Sequence, residues 1–239
     1  MRRLIWLALT AAAFAQGGMM PGPGTPHSAG ATATITWSST QTTSCYPATS
    51  CAFPGNVTAG NLIGVFAGWN DSTSNPTAAI TASRCASGSM TQVGAVLNTP
   101  AGSIKGFYCV VTGTGAATVT LTSCGSDCGL TTFEVTSSTG FVGTVDGVGT
   151  HTPAVAETTV TTSTFNTTHV TAIVAFVLNE NADPTWTQGT GFTLSTYQHS
   201  HVDVIEYRLN VAAGTGLSAS FGQSNVSTSL AYAAAFGAN

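Results

Sequence analysis

Charge is what this chain lacks most. Of its 239 residues only 6% are Asp, Glu, Lys or Arg, with five basic and nine acidic residues and a formal net charge of −4. A soluble domain commonly carries about 25%. Five cations, two of them Arg2 and Arg3, cannot build the basic face that holds a phosphate backbone, so nucleic acid is excluded as a partner. Heptads and amphipathic helical windows are missing, which excludes a coiled coil and a helical bundle. No apolar run reaches the about 20 residues of a membrane-spanning helix. Lys105, the sole lysine, follows no Gly-rich phosphate loop, and no Gly-x-Ser-x-Gly elbow is present.

What fills the space is threonine, 42 residues of it, with 27 Gly and abundant Ser and Ala. The hydrophobic fraction of 43% argues against disorder, so the surface must be polar through uncharged hydroxyls. Residues 1–15 read as a secretory leader: Arg2 and Arg3, an apolar stretch, then Ala13-Phe14-Ala15 before Gln16. Its removal takes the charge to −6, and the expected location is extracellular, in a bacterium. Six cysteines suit an oxidising compartment. They allow 15 pairings. Spacing favours Cys45–Cys51 and Cys124–Cys128 as short closures, leaving Cys85–Cys109.

Residues 16–30 (QGGMMPGPGTPHSAG) form a Gly/Pro-rich lead-in. From residue 31 onwards short segments rich in Val, Ile, Thr, Phe and Tyr alternate with Gly, Asn, Ser and Pro. Strands are expected over 31–38, 61–69, 92–97, 104–112, 117–122 and 130–136, then over 155–162, 169–178, 192–198, 202–210, 217–221 and 230–236. The fold class is all-β: an antiparallel, jelly-roll-like sandwich of about twelve strands over 31–239. Two pseudo-repeats run over about 31–138 and 155–239. NLIGVFAGWND and GFYCVVTGTGAATVTL are echoed by HVTAIVAFVLNEN and VIEYRLNVAAGTGLSA. The echo sets Glu206-Tyr207 against Tyr108-Cys109. Two interleaved halves closing one sandwich is the expected arrangement, with two tandem sandwiches as the alternative.

YQHSHVDVIEY (197–207) concentrates the polar chemistry. On a strand His199, His201 and Asp203 share one face, a set that could bind Zn or Cu. Oxygen ligands for Ca²⁺ could come from Asp71, Asp127, Asp146 and Asp183, above all from Asn179-Glu180-Asn181-Ala182-Asp183. Asp and Asn in such loops also make ordinary Asx turns. Trp69, which begins a polar loop, and Trp186, which follows Asp183-Pro184, are candidate glycan-stacking rings if exposed, and core anchors if not.

His201-Val202-Asp203-Val204-Ile205-Glu206 resembles the active-site strand of laminarinase-like jelly-roll glycosidases, written Glu, apolar, Asp, apolar, apolar, Glu. Asp203 and Glu206 match the second and third acidic positions. His201 stands at the first, where that family keeps its nucleophile, so the retaining pair of carboxyls about 5–5.5 Å apart is not supplied. More broadly, residues 31–239 resemble secreted bacterial β-sandwich modules, through the NLIGVF-like and Glu-Tyr-bearing strands with Gly-Thr turns. That resemblance implies a sandwich and no catalytic residue.

The expected function is therefore a non-catalytic secreted structural or assembly protein: a surface-fibre, matrix or adhesin-type subunit that associates with itself. Residues 31–38 could be donated to a neighbour as an added strand. A glycan-binding module contacting an extracellular polysaccharide through exposed Trp is the alternative, and a jelly-roll glycosidase the third. No cofactor is expected beyond Ca²⁺.

Overall fold

The computed structural model describes residues 32–239, apart from 71–73, 75, 81–83, 87, 100–101, 125–126, 180–183, 196–202 and the side chain of Asp203. The architecture is all-β with antiparallel pairing throughout. The first half runs β1 (Ile35–Trp37), a 3-10 turn (Ser39–Gln41), β2 (Thr43–Cys45), β3 (Ser50–Val57), β4 (Leu62–Trp69), β5 (Thr77–Ile80), β6 (Thr91–Thr99), β7 (Gly102–Val110), β8 (Gly115–Thr122) and β9 (Gly129–Ser137). The second half runs β10 (Phe141–His151), β11 (Glu157–Thr161), β12 (Phe165–Thr167), β13 (Thr171–Asn179), β14 (Trp186–Thr187), β15 (Thr193–Leu194), β16 (Asp203–Val211), β17 (Gly214–Leu217), β18 (Ser220–Ser227) and β19 (Ser229–Ala238).

Each half builds a large and a small sheet in the same order. The first large sheet is ordered β1-β9-β4-β7-β6, with β2 also on β9, and its small sheet β3-β8-β5. The second large sheet is β10-β19-β13-β16-β15 and its small sheet β11-β18-β14; β12 and β17 pair separately. The pseudo-repeat read from the sequence is thus a repeat of topology. The halves do not interleave into one sandwich. Each closes its own, because each large sheet uses alternate side chains for its own small sheet.

The other face of each large sheet is equally apolar, and the two meet back to back. Along β4, Ile63, Val65, Ala67 and Trp69 pack with Phe53, Val119 and Leu121 of the first small sheet, while Leu62 and Phe66 join a second core. Along β13, Ile173, Ala175 and Val177 pack with Val160 and Phe221, while Ala172, Val174, Phe176 and Leu178 join that same second core. Residues 33–239 therefore contain four sheet layers around three cores. Central strands buried on both faces need continuous apolar sequence instead of alternation, which is why LIGVFAGW, TAIVAFVLN and SLAYAAAFGA are buried from end to end.

The shared core is aromatic. Phe66 stacks on Phe176 with ring centroids 5.3 Å apart, and Tyr108 and Phe133 both meet Phe236. Two phenols cross the boundary: Tyr232 donates to the carbonyl of Val93 at 2.6 Å, and Tyr108 to that of Gly143 at 3.3 Å. Gly64 is required beneath the Phe133 ring, where a Cβ would lie 2.1 Å from its Cζ. At the edge, Trp37 stacks 4.2 Å from Tyr207, and Asn210 of β16 bonds both the amide (2.6 Å) and the carbonyl (3.0 Å) of Ile35. β1 is thus strapped across both halves.

All three disulfides lie in the first half. Cys45–Cys51 joins β2 to β3, Cys85–Cys109 ties the segment before β6 to β7, and Cys124–Cys128 closes the turn before β9. Among the described residues no helix is long and apolar enough to cross a membrane. Threonine rows occupy solvated strand faces and pair across strands, as Thr77 with Thr122 (2.6 Å) and Ser50 with Thr120 (3.3 Å).

Candidate functional site

Glu206 is the least expected side chain in the molecule. The pairing of Phe66 with Gly106 and of Phe176 with Ile205 aligns the halves, and makes Glu206 the counterpart of Phe107. The sequence echo, which set it against Tyr108, is corrected by one residue. Phe107 faces the first small sheet, and alternation along β16 turns Glu206 the same way, between Val204 and the apolar core of the second sandwich. Glu206 has no solvent exposure. Its Oε2 accepts the Gly189 amide at 2.8 Å, while Oε1 makes no hydrogen bond among the described residues. Burial pushes its pKa up to about 7, against the smaller opposing pull of the Gly189 and Ser220 backbone.

Above Glu206 lies a groove of about 340 Å³ on the outer surface of the second small sheet. Thr159, Ser220 and Gly222 of the sheet and Gln188, Thr190 and Phe192 of the turn line it. Gly189 separates carboxyl from groove. A Cβ there would fall 2.3 Å from the Ser220 carbonyl, so glycine lets the turn lie flat on β18. The lining is neutral, offering hydroxyls, an amide and backbone groups, and Glu206 is not part of it.

Trp69 and Trp186 are not surface rings. Both are buried, Trp69 in the first sandwich core and Trp186 against Phe221 in the second, with centroids 6.1 Å apart. Trp69 ends β4 and Trp186 begins β14, but both turn inward, where area burial outweighs an unbonded indole N–H. The expectation of exposed stacking at these positions is therefore corrected. Trp37 is the half-buried indole, and it lies on Tyr207.

The proposed metal set falls outside the description: His199 and His201 are not described, nor is the side chain of Asp203. The same holds for Asp71 and for 180–183 of the Ca²⁺ candidate. Asn179 is buried and bonds Gln223 and Ser229, each at 3.0 Å, in a network that also takes in Ser227. Asp146 accepts the Thr168 amide and hydroxyl and the His169 amide. Partial desolvation opposes its ionisation, but these bonds prevail and hold its pKa below the ordinary carboxylate value. Asp127 accepts from Asn70 at 3.3 Å. Asp146 and Asp127 thus serve the loops around them. Among the described residues no three His, Cys, Asp or Glu side chains cluster for a metal.

Two of the three described cations are used internally. Arg84 donates to the carbonyls of Gly113, Thr114 and Ala116, and Lys105 is buried with Nζ 2.7 Å from the Pro76 carbonyl. Arg208 is exposed. Sequence counting found these three residues but could not show that two are consumed by the chain's own carbonyls. Comparison with protein-family models, with curated proteins and with solved structures finds no match to this chain.

Proposed function

We propose that this chain is a non-catalytic extracellular structural or assembly subunit. The observation that supports it best is a β-built surface almost without cations. Lysine and other charges on edge strands are the usual guard against sheet-to-sheet association. Here β6, a nine-residue edge strand reading TQVGAVLNT, carries none. The three disulfides are compatible with an oxidising, extracellular setting. The joining element in this reading is the N-terminal strand. β1 pairs with β9 over only Ile35 to Trp37, and its slot is formed by Asn210, Tyr207 and Phe133. The same slot would accept the equivalent strand of a neighbouring copy.

The test is light scattering of the oxidised chain from Gln16 over a range of concentrations, with electron microscopy of the same samples. Ordered polymers that disappear when residues 16–38 are deleted are expected. A monomer at every concentration overturns the reading.

A second reading, a glycan-binding module, draws on the neutral hydroxyl- and amide-lined groove beside Gly189. It no longer draws on Trp69 or Trp186. Retardation in gels containing a soluble polysaccharide, abolished by Gln188→Ala with Thr187→Ala, would favour it; unchanged mobility would remove it.

A further inference from the structure

The covering over Glu206 is one residue thick. Gly189 bonds the carboxyl on one side and lines the groove on the other, and its neighbours Gln188 and Thr190 are exposed. The corresponding position of the first half carries Phe107, so the fold itself does not need an acid there. We propose that Glu206 is a proton-operated latch that holds turn 188–192 closed on β18 when protonated and releases it when ionised.

The physical basis is the donor inventory. A neutral carboxylic acid in this core leaves at most one polar group unbonded, whereas a carboxylate needs several donors and finds only the pull of the Gly189 and Ser220 backbone, which favours the anion but is outweighed by burial. Among the described residues no compensating charge is bonded to it. Among the described residues β13, β14, β15, β18 and turn 188–192 bring no titratable side chain against it. Glu157 of β11 is engaged with His151. On its own strand Tyr207 stacks on Trp37, and the exposed Arg208 lies over Gly191, with Nε 3.5 Å from where a Cβ on Gly191 would stand. The shortest way to hydrate the anion is through the groove, by lifting Gly189 from Ser220. The raised pKa brings this change into the neutral range. The groove is thereby deeper and acid-floored on the alkaline side of neutrality, and shallow and neutral below it.

Hydrogen exchange and amide shifts of Gly189 in the full oxidised chain test the latch. Protection of that amide, corrected for intrinsic exchange, is expected to fall about tenfold or more between pH 5.5 and 8.5. The Gly189 shift should titrate with a midpoint near 7. Glu206→Gln should hold the same protection at both pH values. Unchanged protection in the wild-type chain, or an equal fall in Glu206→Gln, overturns the proposal. If Glu206→Gln does not fold, Glu206→Phe supplies the side chain used by the other half, and the wild-type shift titration needs no variant.

Discussion

The two halves solve one topology with different means. The first carries three disulfides and small-sheet strands of eight, eight and four residues. The second has no disulfide among its described residues, reduces the strands matching β5 and β6 to two residues each, and lines β19 with Ala231, Ala233 and Ala235 against its small sheet. Small side chains let the layers approach closely, so packing substitutes for covalent ties. Both halves then depend on the same aromatic layer between them. A shared topology thus fixes where side chains point, while single positions such as Phe107 and Glu206 decide what they do there.

Breaking the layer common to both should have the largest effect. Phe176→Ala removes the ring stacked on Phe66 and should cost about 3–5 kcal/mol. Urea unfolding should show both halves weakened together; a loss confined to the second half would separate them. Next comes the first half's covalent advantage. Replacing Cys85 and Cys109 by Ala should cost about 2–4 kcal/mol, read as a lower thermal midpoint.

Glu206 tests the second half's exception. Its folded pKa of about 7 exceeds the ordinary 4.5, so its contribution is fully present below about pH 4.5, declines as pH rises through 7, and is absent above. The decline should be about 2–3 kcal/mol and should vanish in Glu206→Gln, measured by urea midpoints from pH 4.5 to 8.5. The smallest effect is expected at the strap. Asn210→Ala removes two bonds to Ile35 and should cost about 1 kcal/mol, with faster amide exchange at Ile35.

The sequence revealed most of the long strands because β-branched and aromatic runs bounded by Gly and Asn are strong signals. β4, β7, β9, β13, β16 and β19 lie close to where they were expected, and the three disulfide pairs agree with the spacing. β10 was missed because FVGTVDGVGTH reads as a turn-rich linker. Two of its three glycines are packing positions: Gly147 and Gly149 lie beneath the Phe165 ring. β3 was missed for its Pro54-Gly55 pair. The double burial of the central strands was visible as continuous apolar sequence, but what covers the second face is a long-range fact no local pattern holds. At the candidate site, Glu206 was noticed for its neighbours Asp203 and His201. Its meaning lies in the partner it lacks and in Phe107, and both became visible only once strand pairing fixed the register.

The central claim is that the halves form one cooperative unit through the shared aromatic core. Trp69 sits in the core of the first sandwich and Trp186 in that of the second, so fluorotryptophan labelling gives each half its own reporter. Fluorine NMR through a urea titration of the oxidised chain should show the Trp69 and Trp186 resonances, distinguished from that of Trp37, changing in a single coincident transition. Separate midpoints for Trp69 and Trp186 would contradict the account, and would make the back-to-back layer a contact between independently stable sandwiches.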